Sequence, residues 1–152
     1  MKVVVQRSLN AKCLVNGKVV GESSKGLVLL VGFTDTDKIE EVKYLAKKVL
    51  NLRIFDDEVG IMNKSILEIP DASILSISQF TLYADSTKGN RPSYIKAMKG
   101  DKAKELYDLF NLELSKEIKT ETGIFGEDMK INFINDGPIT IILERYLWIK
   151  IN

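Results

Sequence analysis

Gly26-Leu27-Val28-Leu29-Leu30-Val31-Gly32-Phe33 is the stretch whose reading decides the fold. An apolar run without polar alternation suits a strand covered on both faces. The period changes directly after it. Asp35, Thr36 and Asp37 offer N-cap side chains, and Ile39, Val42, Leu45, Ala46, Val49 and Leu50 then recur at three- and four-residue spacing. That pattern predicts an amphipathic helix over 38–51, with Lys43, Lys47 and Lys48 on its wet side. A doubly covered strand followed by such a helix is an α/β unit. Upstream, Val3-Val4-Val5 opens a first strand towards Arg7, and 11–15 leads into Asn16-Gly17. This dipeptide suits a type I′ hairpin because both central residues take positive φ. Residues 18–21 form the return strand, and Ser23-Ser24-Lys25-Gly26 precedes the buried run.

Downstream, short strands are predicted over 53–55 and near 61–62, and a long central strand over 73–83. The segment 85–92, DSTKGNRP, is the richest in turn formers and reads as an exposed loop. A second helix starts near Asp101 and points Ala103, Leu106, Tyr107, Phe110 and Leu114 inward. Gly123 and Gly126 bracket a turn. Residues 129–134 and 138–143 alternate as two last strands joined by Asn135-Asp136-Gly137. The expected architecture is α/β, one domain over 1–152, with antiparallel hairpins and two packing helices.

Composition narrows the function classes. The 152 residues are 45% hydrophobic and 28% charged, enough for a core without disulfide or metal support. Gln6 and Arg7 interrupt the apolar start where a signal peptide needs continuity, and no apolar run approaches the roughly 20 residues of a bilayer span. With one cysteine, Cys13, no internal disulfide can form, so a cytoplasmic location and no membrane partner are expected. Lys and Arg number 22 against 21 acidic residues, which gives no general basic footprint and no expectation of DNA binding. Lys88, Arg91, Lys96, Lys99, Lys102 and Lys104 do cluster in sequence. They read either as a solvated loop and helix face or as an edge that contacts phosphate. There is no histidine. Ser-His-Asp and Cys-His nucleophiles are thereby excluded, as are ordinary nitrogen and sulfur zinc cages. Neither a metal nor a cofactor is expected, so any catalysis must come from backbone groups, hydroxyls, amides, Lys, carboxylates or the substrate itself.

Two polar interruptions stand out in apolar strands. In ILSISQFTLY, two-residue alternation puts Leu75, Ile77, Gln79, Thr81 and Tyr83 on one face, which turns from apolar to amide and hydroxyl. A buried Gln left without partners costs on the order of 1–3 kcal/mol. Gln79 therefore either ties down a loop, with Thr81 a simple β former, or belongs to a site. The second interruption is NDGPIT, 135–140. It reads as a hairpin turn followed by an edge strand at Pro138, or as a Gly137-Pro138 unit with a cis bond that would aim successive carbonyls in a common direction.

These segments together resemble the D-aminoacyl-tRNA deacylase family. The likeness begins at Val5-Gln6-Arg7, runs through GLVLLVGF, SQFTLYAD at 78–85 and GNRPSY at 89–94, and closes with TGIFGEDMKINFINDGPIT at 122–140. It implies a curved, barrel-like, mainly antiparallel sheet and a homodimer whose partner is the aminoacylated acceptor end of tRNA. It also implies an esterase that clears D-amino acids and glycine from tRNA. Ser78, Gln79, Phe80 and Thr81 of one subunit would form the catalytic segment. Gly137 and Pro138 of the other, with Arg7 as brace and Met129 and Asn135 in the supporting segments, would exclude L side chains. Thr81 as nucleophile would lack a base. Backbone N–H groups near Phe80 and Thr81 would instead hold the oxyanion, with water and the ribose 2′-hydroxyl moving the proton. Phe125 and Phe133 are candidates for stacking on the terminal adenine, or are core residues.

Other readings are a non-catalytic module that binds aminoacyl-tRNA ends, and a histidine-free hydrolase of a different ester. Tyr83 is bulkier than the small residue expected after SQFTL and is placed to narrow the pocket mouth, and Ser8 replaces a branched apolar residue. The apolar tail 146–151 suits a packed strand or a dimer contact.

Overall fold

The computed structural model describes residues 1–145, and the apolar tail 146–151 lies outside the described residues. The buried run belongs to a strand much longer than expected. Strand β1 spans Lys2–Val15 and β2 spans Lys18–Gly32, and together they form one antiparallel hairpin. Asn16 (φ 51°) and Gly17 (φ 77°) make its turn, as the dipeptide predicted. The return strand expected over 18–21 does not stop there, because Ser23–Gly26 stay in the ladder opposite β1. Ser23 tolerates this because its hydroxyl, buried with Ser73, donates to the Ser73 carbonyl at 3.1 Å.

Helix α1 (Ile39–Asn51) follows. Its N-cap is Lys38 rather than an aspartate, and the Lys38 N–H donates to the Glu41 carboxylate at 2.6 Å. Asp37 is drawn into the fold, where it accepts the Thr34 N–H and ion-pairs with the Met1 α-ammonium. A small hairpin comes next, β3 (Phe55–Asp56) and β4 (Met62–Lys64). Strand β5 (Ser73–Ser78) then returns parallel to β2. Helix α2 (Gly100–Ser115) and β6 (Thr120–Thr122) lead to the last strand, β7 (Lys130–Glu144).

The large sheet has the order β6-β5-β2-β1-β7. Its β1 pairings with β2 and β7 are long and antiparallel, whereas β5 joins β2 and β6 in parallel. The chain is thus a single α/β domain with two helices and a mixed sheet. Asn10, at φ 52°, lies where the β1–β7 register shifts between Leu9 and Lys12. The main core lies between one sheet face and the helices, with Leu27, Leu29, Leu45, Ile74 and Phe110 fully buried. A second cluster on the opposite face contains Ala11, Cys13, Val28, Leu75 and Ile77. The 26–33 run is therefore covered on both faces, as its lack of alternation required.

Candidate active site

The predicted strand over 73–83 ends at Ser78. Gln79 donates its N–H to the Val31 carbonyl at 2.7 Å, and the chain then turns into a short 3₁₀ helix, Phe80–Tyr83. The reason is local. Strand β2 ends at Gly32, so β5 loses its ladder partner there, and the Leu82 and Ala84 N–H groups bond back to Gln79 and Thr81 instead. Two-residue alternation beyond Ser78 was thus a misreading. Gln79, Thr81 and Tyr83 do not share a strand face. The N–H groups of Phe80 and Thr81 open the turn, where a helix has no earlier carbonyl of its own to accept them.

This break opens onto a cavity of about 540 Å³. Ser78, Gln79 and Phe80 wall it, with Phe125, Met129 and Ile131 opposite and Lys99 and Gly100 of the α2 entrance at the side. Phe80 is 57% exposed and meets Tyr94 edge to face, with ring centroids 5.1 Å apart. Tyr94 also lines the cavity, and no periodicity in the sequence pointed to it. The Tyr107 ring lies 5.8 Å from that of Phe125, and its hydroxyl donates to the Ser76 carbonyl at 2.7 Å. Burial pushes the Tyr107 phenol up to about 12, so it is a permanent donor at neutral pH. Thr81 stands outside the lining. Its hydroxyl accepts the Gln79 amide at 2.5 Å.

Other expected site residues are placed differently. Phe133 does not line the cavity but packs against the second core cluster. Tyr83 is buried beneath Lys2, whose ammonium lies 4.7 Å from the ring centroid, so it does not narrow the cavity mouth. In the basic segment, Lys96 pairs with Asp85 and Lys104 with Asp108, and Lys99 is the member of the segment that lines the cavity.

Gly137 and Pro138 do not line this cavity either. The two predicted last strands are one strand, β7, and NDGP is a bulge within it rather than a hairpin. Gln6 pairs with Thr140 and Ser8 with Asn135, so Arg7 alone stands opposite the four residues Asp136–Ile139. The strand resumes after the bulge because β1 continues beside it. The Gly137-Pro138 bond is cis. Gly137 has φ 132°, and a β-carbon there would come 2.7 Å from Ile139 Cγ1, so only glycine fits. Arg7 is buried and holds the base of the bulge. Its Nε donates to the Asp136 carbonyl at 3.1 Å and its Nη1 to the Ile54 carbonyl at 2.9 Å. Asn135 closes the other side by accepting the Ile139 N–H at 2.9 Å. Arg7 and Asn135 therefore flank the exposed Gly137-Pro138, whereas Met129 sits with the cavity.

The family model described as D-Tyr-tRNA(Tyr) deacylase matches residues 4–144. Among solved structures, the chain is similar to one titled "c-Myc DNA Unwinding Element Binding Protein", with 36% identity and a TM-score of 0.90 over 97% of this chain and 100% of that one. It shares its fold with a structure titled a probable eukaryotic D-amino acid tRNA deacylase, at 21% identity and a TM-score of 0.80, over 93% and 97% of the two chains. A histidine-free chain with a cavity at a strand end, matched across both interrupted segments, belongs to the D-Tyr-tRNA(Tyr) deacylase family, hydrolases of the aminoacyl-tRNA ester bond.

Proposed function

We propose that this chain is a chiral proofreading enzyme that releases D-amino acids and glycine from tRNA, and that it works in the cytoplasm as a homodimer. One observation carries the reading. Ser78, Gln79 and Phe80 wall a cavity, while Gly137 and Pro138 stand exposed outside it in the same chain. Two halves of one site that do not meet within a chain can meet between two chains, the Gly137-Pro138 bulge of one entering the cavity of the other. Rigid backbone carbonyls there would take the substrate amino group and leave no room for an L side chain. A D side chain would point away. Such a filter reads the α-carbon alone, so it works for many side chains and cannot reject glycine.

In this mechanism the Phe80 and Thr81 N–H groups face the developing oxyanion, and Ser78 and Gln79 orient the ester. Water attacks, and the neighbouring ribose 2′-hydroxyl moves the proton. Thr81 is not the nucleophile, since its hydroxyl is engaged by the Gln79 amide, which is no base. Phe125, one of the aromatic residues that line the cavity, would stack on the terminal adenine. The residues at hand need no metal or cofactor. DNA, named for the 36% identical relative, is not carried over, because a balance of 22 basic and 21 acidic residues gives duplex phosphates no broad basic face.

The test is ester release from matched D-tyrosyl-, L-tyrosyl- and glycyl-tRNA, with the oligomeric state measured alongside. Fast cleavage of the D and glycyl substrates with the L substrate spared is expected. Turnover without chiral preference supports an unrelated esterase, and binding without turnover supports a module for aminoacyl-tRNA ends. Glycyl-tRNA left intact where D-tyrosyl-tRNA is cleared removes the glycine part. Full activity on a substrate lacking the 2′-hydroxyl removes the RNA-assisted step.

A further inference from the structure

We infer that Asn135 is a positioning residue that, with Thr140 and Gln6, forms a side-chain clamp fixing the Gly137-Pro138 bulge. The inference rests on the reading in which that bulge rejects L substrates, and it names what holds the bulge in place. At this point the β1–β7 ladder sets four residues, Asp136–Ile139, against Arg7 alone. An edge segment of this kind, with Gly137 and Pro138 exposed and no registered partner on β1, has little backbone pairing to define it. A surface that must exclude a side chain by contact needs a definition finer than that.

Side chains supply it. The first N–H after Pro138 is that of Ile139, and Asn135 Oδ1 accepts it at 2.9 Å. The other end of the same amide, Nδ2, donates to Thr140 Oγ1 at 3.1 Å. Gln6 Nε2 of β1 donates to that hydroxyl as well, at 3.4 Å. Asn135 enters the bulge and Thr140 leaves it, so the amide ties the two ends together and Gln6 ties them to the sheet. Arg7 grips the opposite flank through the Asp136 carbonyl. An amide does both jobs because it carries an acceptor and a donor on one planar group. Alanine does neither. Aspartate keeps the acceptor for Ile139 and can accept a hydrogen bond from the Thr140 hydroxyl.

The experiment compares kcat/KM for D- and L-tyrosyl-tRNA in Asn135→Ala, Asn135→Asp and Thr140→Val, with Pro138→Ala as reference and thermal midpoints recorded for all. A merely structural role would lower both activities together. The clamp instead predicts that Asn135→Ala reduces the D-to-L ratio at least tenfold, that Asn135→Asp recovers a good part of it, and that Thr140→Val costs two- to fivefold. An Asn135→Ala ratio within twofold of the parent, or a parallel fall on both substrates, overturns it. Should Asn135→Ala not fold, an unchanged ratio in Thr140→Val is decisive against the clamp. If Pro138→Ala shifts the ratio while the Asn135 and Thr140 variants do not, the clamp alone fails. If none of them shifts it, the chiral role of Gly137-Pro138 fails too.

Discussion

The turn at Ser78–Tyr83 and the bulge at Asp136–Ile139 are both places where a strand loses its ladder, yet they are held in opposite ways. The turn is backed by the core. Ile77 before it is buried, Gly32 and Val31 lie against it, and Tyr107 anchors the Ser76 carbonyl just upstream. The bulge is on the strand at the end of the sheet order, with Gly137 and Pro138 in solvent, and side chains of Arg7 and Asn135 hold it. A site that stabilises charge gains from a dry wall that does not reorganise. Under the proposed function the bulge enters another subunit, so it has to be exposed, and its rigidity must then come from its own side chains.

If this contrast is right, damage to the bulge should alter selection and damage to the turn's backing should alter stability. The largest effect is expected from Gly137→Ala, where the new β-carbon meets Ile139 at a φ that L residues rarely adopt. Backbone strain of about 1–3 kcal/mol should displace the bulge and lower the D-to-L ratio of kcat/KM roughly ten- to hundredfold. Circular dichroism should show the fold retained, and an unchanged ratio would break the comparison. Tyr107→Phe comes next. Losing the buried bond to Ser76 should cost about 1–2 kcal/mol in a denaturant titration and leave the D-to-L ratio alone. A changed ratio with unchanged stability would reverse the assignment of the two regions.

The same phenol gives a pH signature. Its folded value is raised to about 12 by burial, above the ordinary value of 10.0, so the folded state keeps the proton longer. The stability it contributes is present in full below pH 10 and is lost as pH rises towards about 12. The slope of stability against pH in that window should shrink in Tyr107→Phe, and an identical slope would show that Tyr107 is not the group responsible. The smallest effect is expected from Thr81→Ala. It removes the hydroxyl that accepts from Gln79 but no nucleophile, so kcat should stay within about threefold. A loss of several decades would restore Thr81 to the chemistry.

Much of this was legible in the chain itself. The doubly buried strand, the Asn16-Gly17 hairpin, both helices and the polar character of 78–81 follow from period and turn chemistry, which are local. Where the reading failed, a distant partner had overruled a local signal. The return strand read over 18–21 runs on through Ser23–Gly26 because β1 continues beside it. NDGP has hairpin composition but becomes a bulge for the same reason. Phe125, in the turn between Gly123 and Gly126, and Phe133, in a strand, each pack on a core cluster, and only the tertiary structure shows that Phe125 also lines the cavity.

By itself, then, the sequence determined which chemistry was open to this protein. The absence of histidine and the single cysteine hold in any conformation, and the segments around SQFTLYAD and NDGPIT carry the resemblance to the deacylase family. Only the tertiary structure decided where each strand stops. A ladder ends when its neighbour ends, and that neighbour is many residues away. Gly32 thus sets the turn that opens the cavity at Ser78, and the lone Arg7 sets the bulge that lifts Gly137-Pro138 out of the sheet.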